Sequence, residues 1–304
     1  MNETEKKSSS ITPAQWGIVA LVIAFSAGSV LYKLLMHARF GHSAAMFIGV
    51  PAVLAILLAL TPKAKSATGA IIKGITLALL IIAPLLGEGY LCILIASPLF
   101  YIVGIVIGCA VEYGRNNRNT TLGCVALLLL PMCLEGVFPA WTFRRAQTVE
   151  VSKSVNASPA LIEQQLAQSL RTNTPLPLAL RVGFPQPIKA WGEGLAVGSM
   201  RTIHFTGAEG DPPGDLVMRV TERRDGYARF ETVSDGSKLT QWIHWNGSEV
   251  EWQRLDPNHT QVTWRIHFDR QLDPAWYFTP WERAVVGEAA KYLIDANATP
   301  AGRR

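Results

Sequence analysis

The stretch VTWRIHFDRQLDPAWYFTPWERAVVGEAAKYLIDA, residues 262–296, changes its hydrophobic period midway. Val262, Trp264, Ile266 and Phe268 fall on every second position, the mark of a strand with one buried face. Beyond Asp273-Pro274, the residues Phe278, Trp281, Val285, Ala289 and Leu293 recur at spacings of three or four, which places them on one side of a helix. A strand therefore runs through a short hinge into a terminal helix that starts near Pro274 and reaches about Asn297.

Upstream, 147–155 alternates as a strand, and Ser158-Pro159 is a helix start, with serine as cap and proline at the first position, for a helix over 159–170. Residues 173–198 are rich in Pro and Gly and read as irregular. Six further strands are predicted at 199–206, 215–224, 227–234, 238–245, 248–255 and 260–271. Turn chemistry separates them: EGDPPGD, RDG, SDGS, the hairpin pair Asn246-Gly247, and DPNH. The order is one strand, a helical stretch, six antiparallel strands and a long helix, an α+β arrangement. A seven-stranded antiparallel sheet with one apolar face must cover that face, and the terminal helix is the long element available to do so.

These residues carry a resemblance. VEVSKSVNASPALIEQQL (149–166) is similar to the strand, spacer and Ser-Pro helix of the START-like superfamily. This helix-grip or SRPBCC group includes polyketide cyclases/dehydrases, birch-pollen-type allergens and lipid-transfer domains. HTQVTWRIHFDRQLDPAWYFTPWERAVVGEAAKYLI (259–294) resembles its last strand and proline-capped helix. The resemblance covers about residues 146–298 and implies a cavity between curved sheet and helix that holds an apolar ligand. The strand and helix phases independently allow one. Phe205, Met218, Phe230, Trp245, Trp252, Trp264 and Phe268 on strands, with Phe278, Trp281, Val285 and Tyr292 on the helix, are the inward candidates.

The first half of the chain is a different material. Residues 1–149 hold eleven Lys/Arg against five Asp/Glu, and residues 150–304 hold seventeen against eighteen, so the net charge of +5 belongs to the first half. Apolar runs lie at 16–36, 43–61, 68–87, 89–111 and 120–139, each close to the ~20 residues that cross a bilayer as a helix. From Gly74 to Val111 the single charge is Glu88, between Gly87 and Gly89, which suits a tight turn between two spans. Five spans over 15–142, after a polar tail of 1–14, is the expected count. Four is the alternative if the third run, interrupted by Lys73, only skims the surface.

Bases in short loops set orientation. Lys6, Lys7, Lys63, Lys65, Arg115 and Arg118 outnumber Lys33, Arg39, Arg144 and Arg145 on the other side. With five spans this puts the N-terminus inside and the C-terminal domain outside an expected bacterial plasma membrane; four spans reverse the answer. The first apolar run exceeds a signal-peptide core and is read as an uncleaved span. Glu135, near the end of the fifth run, is either interfacial or part of an ion path. Gly104 and Gly108, at helical spacing, suit close helix packing. Residues 299–304 form a short C-terminal tail, and the sequence carries no signal of oligomeric state.

Catalytic signals are sparse. Cys92, Cys109, Cys124 and Cys133 all lie in apolar runs without CxxC pairing or metal-ligand histidines, so neither a metal nor a cofactor is expected. No nucleophile elbow, HExxH or phosphate loop occurs. Arg201 and Glu222 are in phase with inward residues, either as a polar pair facing a ligand or as strand ends in water. The inward or outward placement of His244 is open, whereas His204 and His267 read as outward. The nearly neutral second half implies no nucleic-acid partner.

The preferred reading is a membrane-anchored module that binds or sequesters a lipid or other hydrophobic small molecule. Cyclase- or hydratase-type catalysis on a hydrophobic substrate is one alternative. A membrane sensing or interaction protein with a filled core is the other.

Overall fold

The computed structural model describes residues 64–86, 90–116, 142–181, 183–207 and 212–299, with shorter pieces at 16–20, 22–23, 53, 56, 135–137 and 140. The chain divides into two compact units, Met1–Pro131 and Met132–Arg304.

In the first unit, two helices follow the third and fourth apolar runs: Ala67–Leu86 (α1) and Tyr90–Asn116 (α2). Among the described residues one helical stretch, Ile93–Gly114, is long and apolar enough to cross a membrane, and Ala67–Ile81 is a shorter apolar stretch. The remaining predicted spans and the Gly87-Glu88-Gly89 turn lie largely or wholly outside the described residues. The two helices approach closely where glycine leaves room. A Cβ at Gly108 would lie 2.6 Å from the Thr68 Cα, and one at Gly104 would lie 2.4 Å from Ile75 Cδ1. Thr76 Oγ1 and the Tyr101 hydroxyl are hydrogen-bonded at 2.9 Å, and the Thr68 N–H donates to Glu112 Oε1 at 2.9 Å.

The second unit opens with a strand, Ala146–Val155 (β1), and a helix, Pro159–Ala167 (α3), whose first turn is capped by Ser158 Oγ accepting from the Leu161 N–H. A single helical turn, Leu178–Arg181 (α4), precedes six strands: Pro187–Trp191 (β2), Met200–Phe205 (β3), Gly214–Arg224 (β4), Tyr227–Asp235 (β5), Ile243–Arg254 (β6) and Thr260–Arg270 (β7). The helix Ala275–Asn297 (α5) closes the chain. All seven strands pair antiparallel in the order β1-β7-β6-β5-β4-β3-β2. This seven-stranded sheet with its long C-terminal helix fits the helix-grip arrangement.

Two strands differ from the sequence reading. Asn246-Gly247 is not a hairpin turn: β6 runs straight through it, with a bulge between Trp245 and Gly247 where it pairs with β7. A Cβ at Gly247 would sit 2.4 Å from the Phe230 carbonyl oxygen, so this glycine serves the close approach of β5. Residues 238–241, read as part of a strand, form a 3-10 turn capped by Ser237. The seventh strand comes instead from the Pro/Gly-rich stretch, as β2. It lies at the sheet edge, where Pro187 forfeits no ladder bond.

On β7 every second residue from Thr260 to Arg270 is buried, and Phe268, Ile266 and Val262 are fully so. Phe278, Glu282, Val286, Ala290 and Leu293 of α5 face inward. The predicted stripe of Trp281, Val285 and Ala289 is therefore one position out of phase. Trp281 is 50 % exposed, and Val285 is half-buried. The reason is Glu282, a carboxylate at a core position that made the neighbouring tryptophan look like the better inward residue.

Both ends of α5 are held by side chains from far upstream. Pro274 offers no side-chain cap, and Glu135 supplies one: the Ala275 N–H donates to its two oxygens at 3.1 and 3.2 Å. The same carboxylate accepts from Arg270 Nη2 at 3.0 Å. Arg270 is fully buried and also donates to Asp273 and to the carbonyls of Leu272 and Phe143. At the other end, Arg171 donates to the carbonyls of Ala296 (2.9 Å), Asp295 (3.2 Å) and Thr299. An anion at the helix N-terminus and a cation at its C-terminus both suit the helix dipole. Glu135, read as interfacial or as part of an ion path, belongs to the second unit and sits in a turn of residues 135–137.

Candidate ligand cavity

A cavity of about 40 Å³ lies between the sheet and the second half of α5. Its wall combines strand residues of one sheet face with Leu166 and Leu170 from and after α3, Ala190 and Trp191 of β2, and Leu293 and Asn297 of α5. The strand period explains the wall: Met218, Phe230 and Trp264 point inward because their neighbours in sequence point out. The bulge in β6 reverses the phase between Trp245 and Ser248, so that both face the same hollow.

Five predicted residues meet here: Arg201, Met218, Phe230, Trp245 and Trp264. Phe205, Trp252, Phe268, Phe278 and Tyr292 are buried but lie outside this lining. Burial pushes the Tyr292 phenol up to about 12, and its hydroxyl has no hydrogen-bond partner. Trp281 and Val285 fall on the flank of α5. His244 is exposed on the opposite face of β6 from Trp245. Glu222 does not join Arg201: it is part-exposed and pairs with Arg224 at 2.7 Å. The β4 register shifts between Val220 and Glu222, and that bulge breaks the alternation on which the predicted pair depended. Leu170, Ala190, Ser248 and Asn297 were missed. Each is a small, polar or loop residue whose inward position depends on the β2 edge, the β6 bulge or the helix phase.

Arg201 is nine-tenths buried and makes its hydrogen bonds to neutral acceptors. Nη1 donates to the Gln168 carbonyl at 2.5 Å, and Nη2 donates to those of Leu166 and Gly194, both at 2.7 Å. Burial lowers its pKa, opposed by the charge of Glu193. Its guanidinium lies 5.9 Å from the Phe230 ring centre, and Phe230 stacks on Trp264 with centroids 6.5 Å apart. Arg201 Nε and the indole nitrogens of Trp245 and Trp264 are buried without partners. Among the described residues no cluster of His, Cys, Asp or Glu is arranged to hold a metal.

Glu282, at the other end of α5, is a buried acid of a different kind. Its Oε1 accepts from the Leu272 N–H at 3.3 Å, and its Oε2 has no partner. Burial raises its pKa above the ordinary 4.5, with backbone N–H groups and Arg270 acting in the opposite sense. A carboxyl that holds its proton more tightly folded than unfolded supports folding below its unfolded pKa, and that support is lost as pH rises through the raised value. Glu282→Gln is therefore expected to match the parent in denaturant midpoint at pH 3. It should gain stability over the parent as pH rises beyond about 4.5. An unchanging gap between the two across that range would contradict the burial argument.

No protein-family model and no curated protein matches the chain. Among solved structures, the C-terminal half is similar to a truncated norcoclaurine synthase from Thalictrum flavum (11 % identity, TM-score 0.35, 50 % of this chain and 91 % of that one). It is also similar to the ZhuI aromatase/cyclase from Streptomyces (18 %, 0.31, 50 % and 86 %) and to a START superfamily protein from Mycobacterium smegmatis (14 %, 0.34, 49 % and 92 %).

Proposed function

We propose that the second unit is a binding module that takes a hydrophobic small molecule, such as a lipid, between its sheet and its closing helix, and that the apolar first half anchors it in a membrane. The observation that supports this reading is the cavity itself, walled mostly by apolar side chains and reaching the surface at Trp191, which is 42 % exposed. Ile188, on the same strand as Trp191, is also exposed, which suits a rim that meets an apolar donor of ligand.

At about 40 Å³ the cavity holds roughly three waters. A chain-like ligand enters only if the rim moves. No residue of 274–281 lines the cavity, so the moving part is the Pro/Gly-rich side around 168–199 and not the start of α5. Burying about 300 Å² of ligand surface is worth ~7 kcal/mol by area before association costs, enough to displace a small rim.

The small volume favours one rival, an interaction domain with a filled core. Cyclase-type catalysis has less support, because acid–base work needs a second titratable group beside Arg201 and this lining contains none. Mass spectrometry of solvent extracts from the purified full-length chain separates the readings. A co-purifying hydrophobic molecule near one per chain is expected, and it should be lost when Ala190→Trp blocks the mouth. An empty protein, or the same molecule at the same level in Ala190→Trp, would overturn the proposal.

A further inference from the structure

Three buried N–H donors without partners belong to side chains that line one cavity: Arg201 Nε, Trp245 Nε1 and Trp264 Nε1. Buried donors are ordinarily satisfied, so three in one wall mark a place where an acceptor is missing from the protein itself. The charge has no direct counterion. Arg201 spends its other donors on three neutral carbonyls, and among the described residues no carboxylate lies within ion-pairing distance of it. An arginine does not shed its proton, so the wall carries a full positive charge that faces apolar surroundings.

We infer that the cavity receives the carboxylate head of an amphiphilic acid, held by the Arg201 guanidinium and the indole N–H groups of Trp245 and Trp264, with the tail leaving past Leu170 and Trp191. This rests on the ligand-binding reading above and deepens it. The volume fits the division of labour: about 40 Å³ accommodates a head of three heavy atoms but not a tail. Phe230 and Trp264, stacked beneath the guanidinium, supply the apolar floor.

The test uses the full-length chain in a neutral maltoside detergent, with 11-bromoundecanoate and 11-bromoundecanol as matched probes whose bromine quenches tryptophan on contact. The acid is expected to give a saturable signal with a midpoint about tenfold lower than that of the alcohol, because a charge-assisted bond outweighs a neutral one. Trp245→Phe and Trp264→Phe keep the ring and remove the N–H. Each should weaken the acid about threefold and leave the alcohol nearly unchanged. Arg201→Gln should abolish the preference for the acid. Arg201 also ties α3 and the Gly194 loop, so circular dichroism checks that this variant folds, and the tryptophan variants decide the matter if it does not.

Equal midpoints for acid and alcohol would overturn the carboxylate assignment and leave the hydrophobic-ligand reading standing. Equal weakening of both probes in the tryptophan variants would also overturn it, since ring packing would then explain the loss. No saturable signal from either probe would remove both readings.

Discussion

Arg270→Ala is expected to cost about 3–5 kcal/mol of stability, because the substitution leaves the buried Glu135 carboxylate without a counterion and Asp273 with Arg145 alone. For a domain of this size the melting temperature should fall by roughly 10 °C. The loss comes from the carboxylates as much as from the arginine. Glu135 is only 5 % exposed, and the carbonyls of Phe143 and Leu272 lose their donors at the same time. Arg265→Ala is the matched control on the outer face of the same strand. Its partners Glu150 and Glu251 are part-exposed, and a surface pair of that kind is worth about 1 kcal/mol or less. Differential scanning fluorimetry of the two variants side by side reads the difference. A similar small loss for both would show that the Arg270 cluster is solvated and that its burial is not as described.

The second large effect concerns the core. Phe268→Ala removes a fully buried ring from the C-terminal part of β7 and should cost about 3–5 kcal/mol, whereas Trp281→Ala, on the flank of α5, should stay within about 0.5 kcal/mol. Urea unfolding followed by circular dichroism measures both. The contrast is diagnostic because the hydrophobic period alone ranks the two residues together, and the helix phase set by Glu282 separates them. A Trp281→Ala loss as large as that of Phe268→Ala would mean that the helix is rotated by one residue from the arrangement described.

Where one residue alternates with the next, the fold was legible from sequence. β7 and its switch of period into α5 needed only the spacing of Val262, Trp264, Ile266 and Phe268. The Ser158-Pro159 start of α3 needed only capping chemistry. The misreadings share a cause, since each depends on a contact distant in sequence. Asn246-Gly247 has the composition of a turn, but the carbonyl of Phe230, seventeen residues before the glycine, makes it a bulge. The edge strand β2 has too short and too Pro-rich a signal to stand alone, and it exists because β3 offers it a ladder. Of the aromatic set read from the sequence, Phe230, Trp245 and Trp264 line the cavity, and Arg201 was readable by phase. That its partners are backbone carbonyls and not Glu222 was not, because carbonyls carry no sequence signal.

The two-ended restraint on α5 has a consequence for traffic. With Glu135 clamping one terminus and Arg171 the other, the helix cannot swing out as a hatch without severing charged hydrogen bonds at both ends. The opposite border of the sheet is short: β2 is five residues long and pairs on one side only, with Thr172 Oγ1 donating to the Ile188 carbonyl and Arg201 to the Gly194 carbonyl in the loop that follows. On the binding reading proposed above, cargo would pass by the parting of that short border strand from its neighbours, while the helix remains a fixed wall.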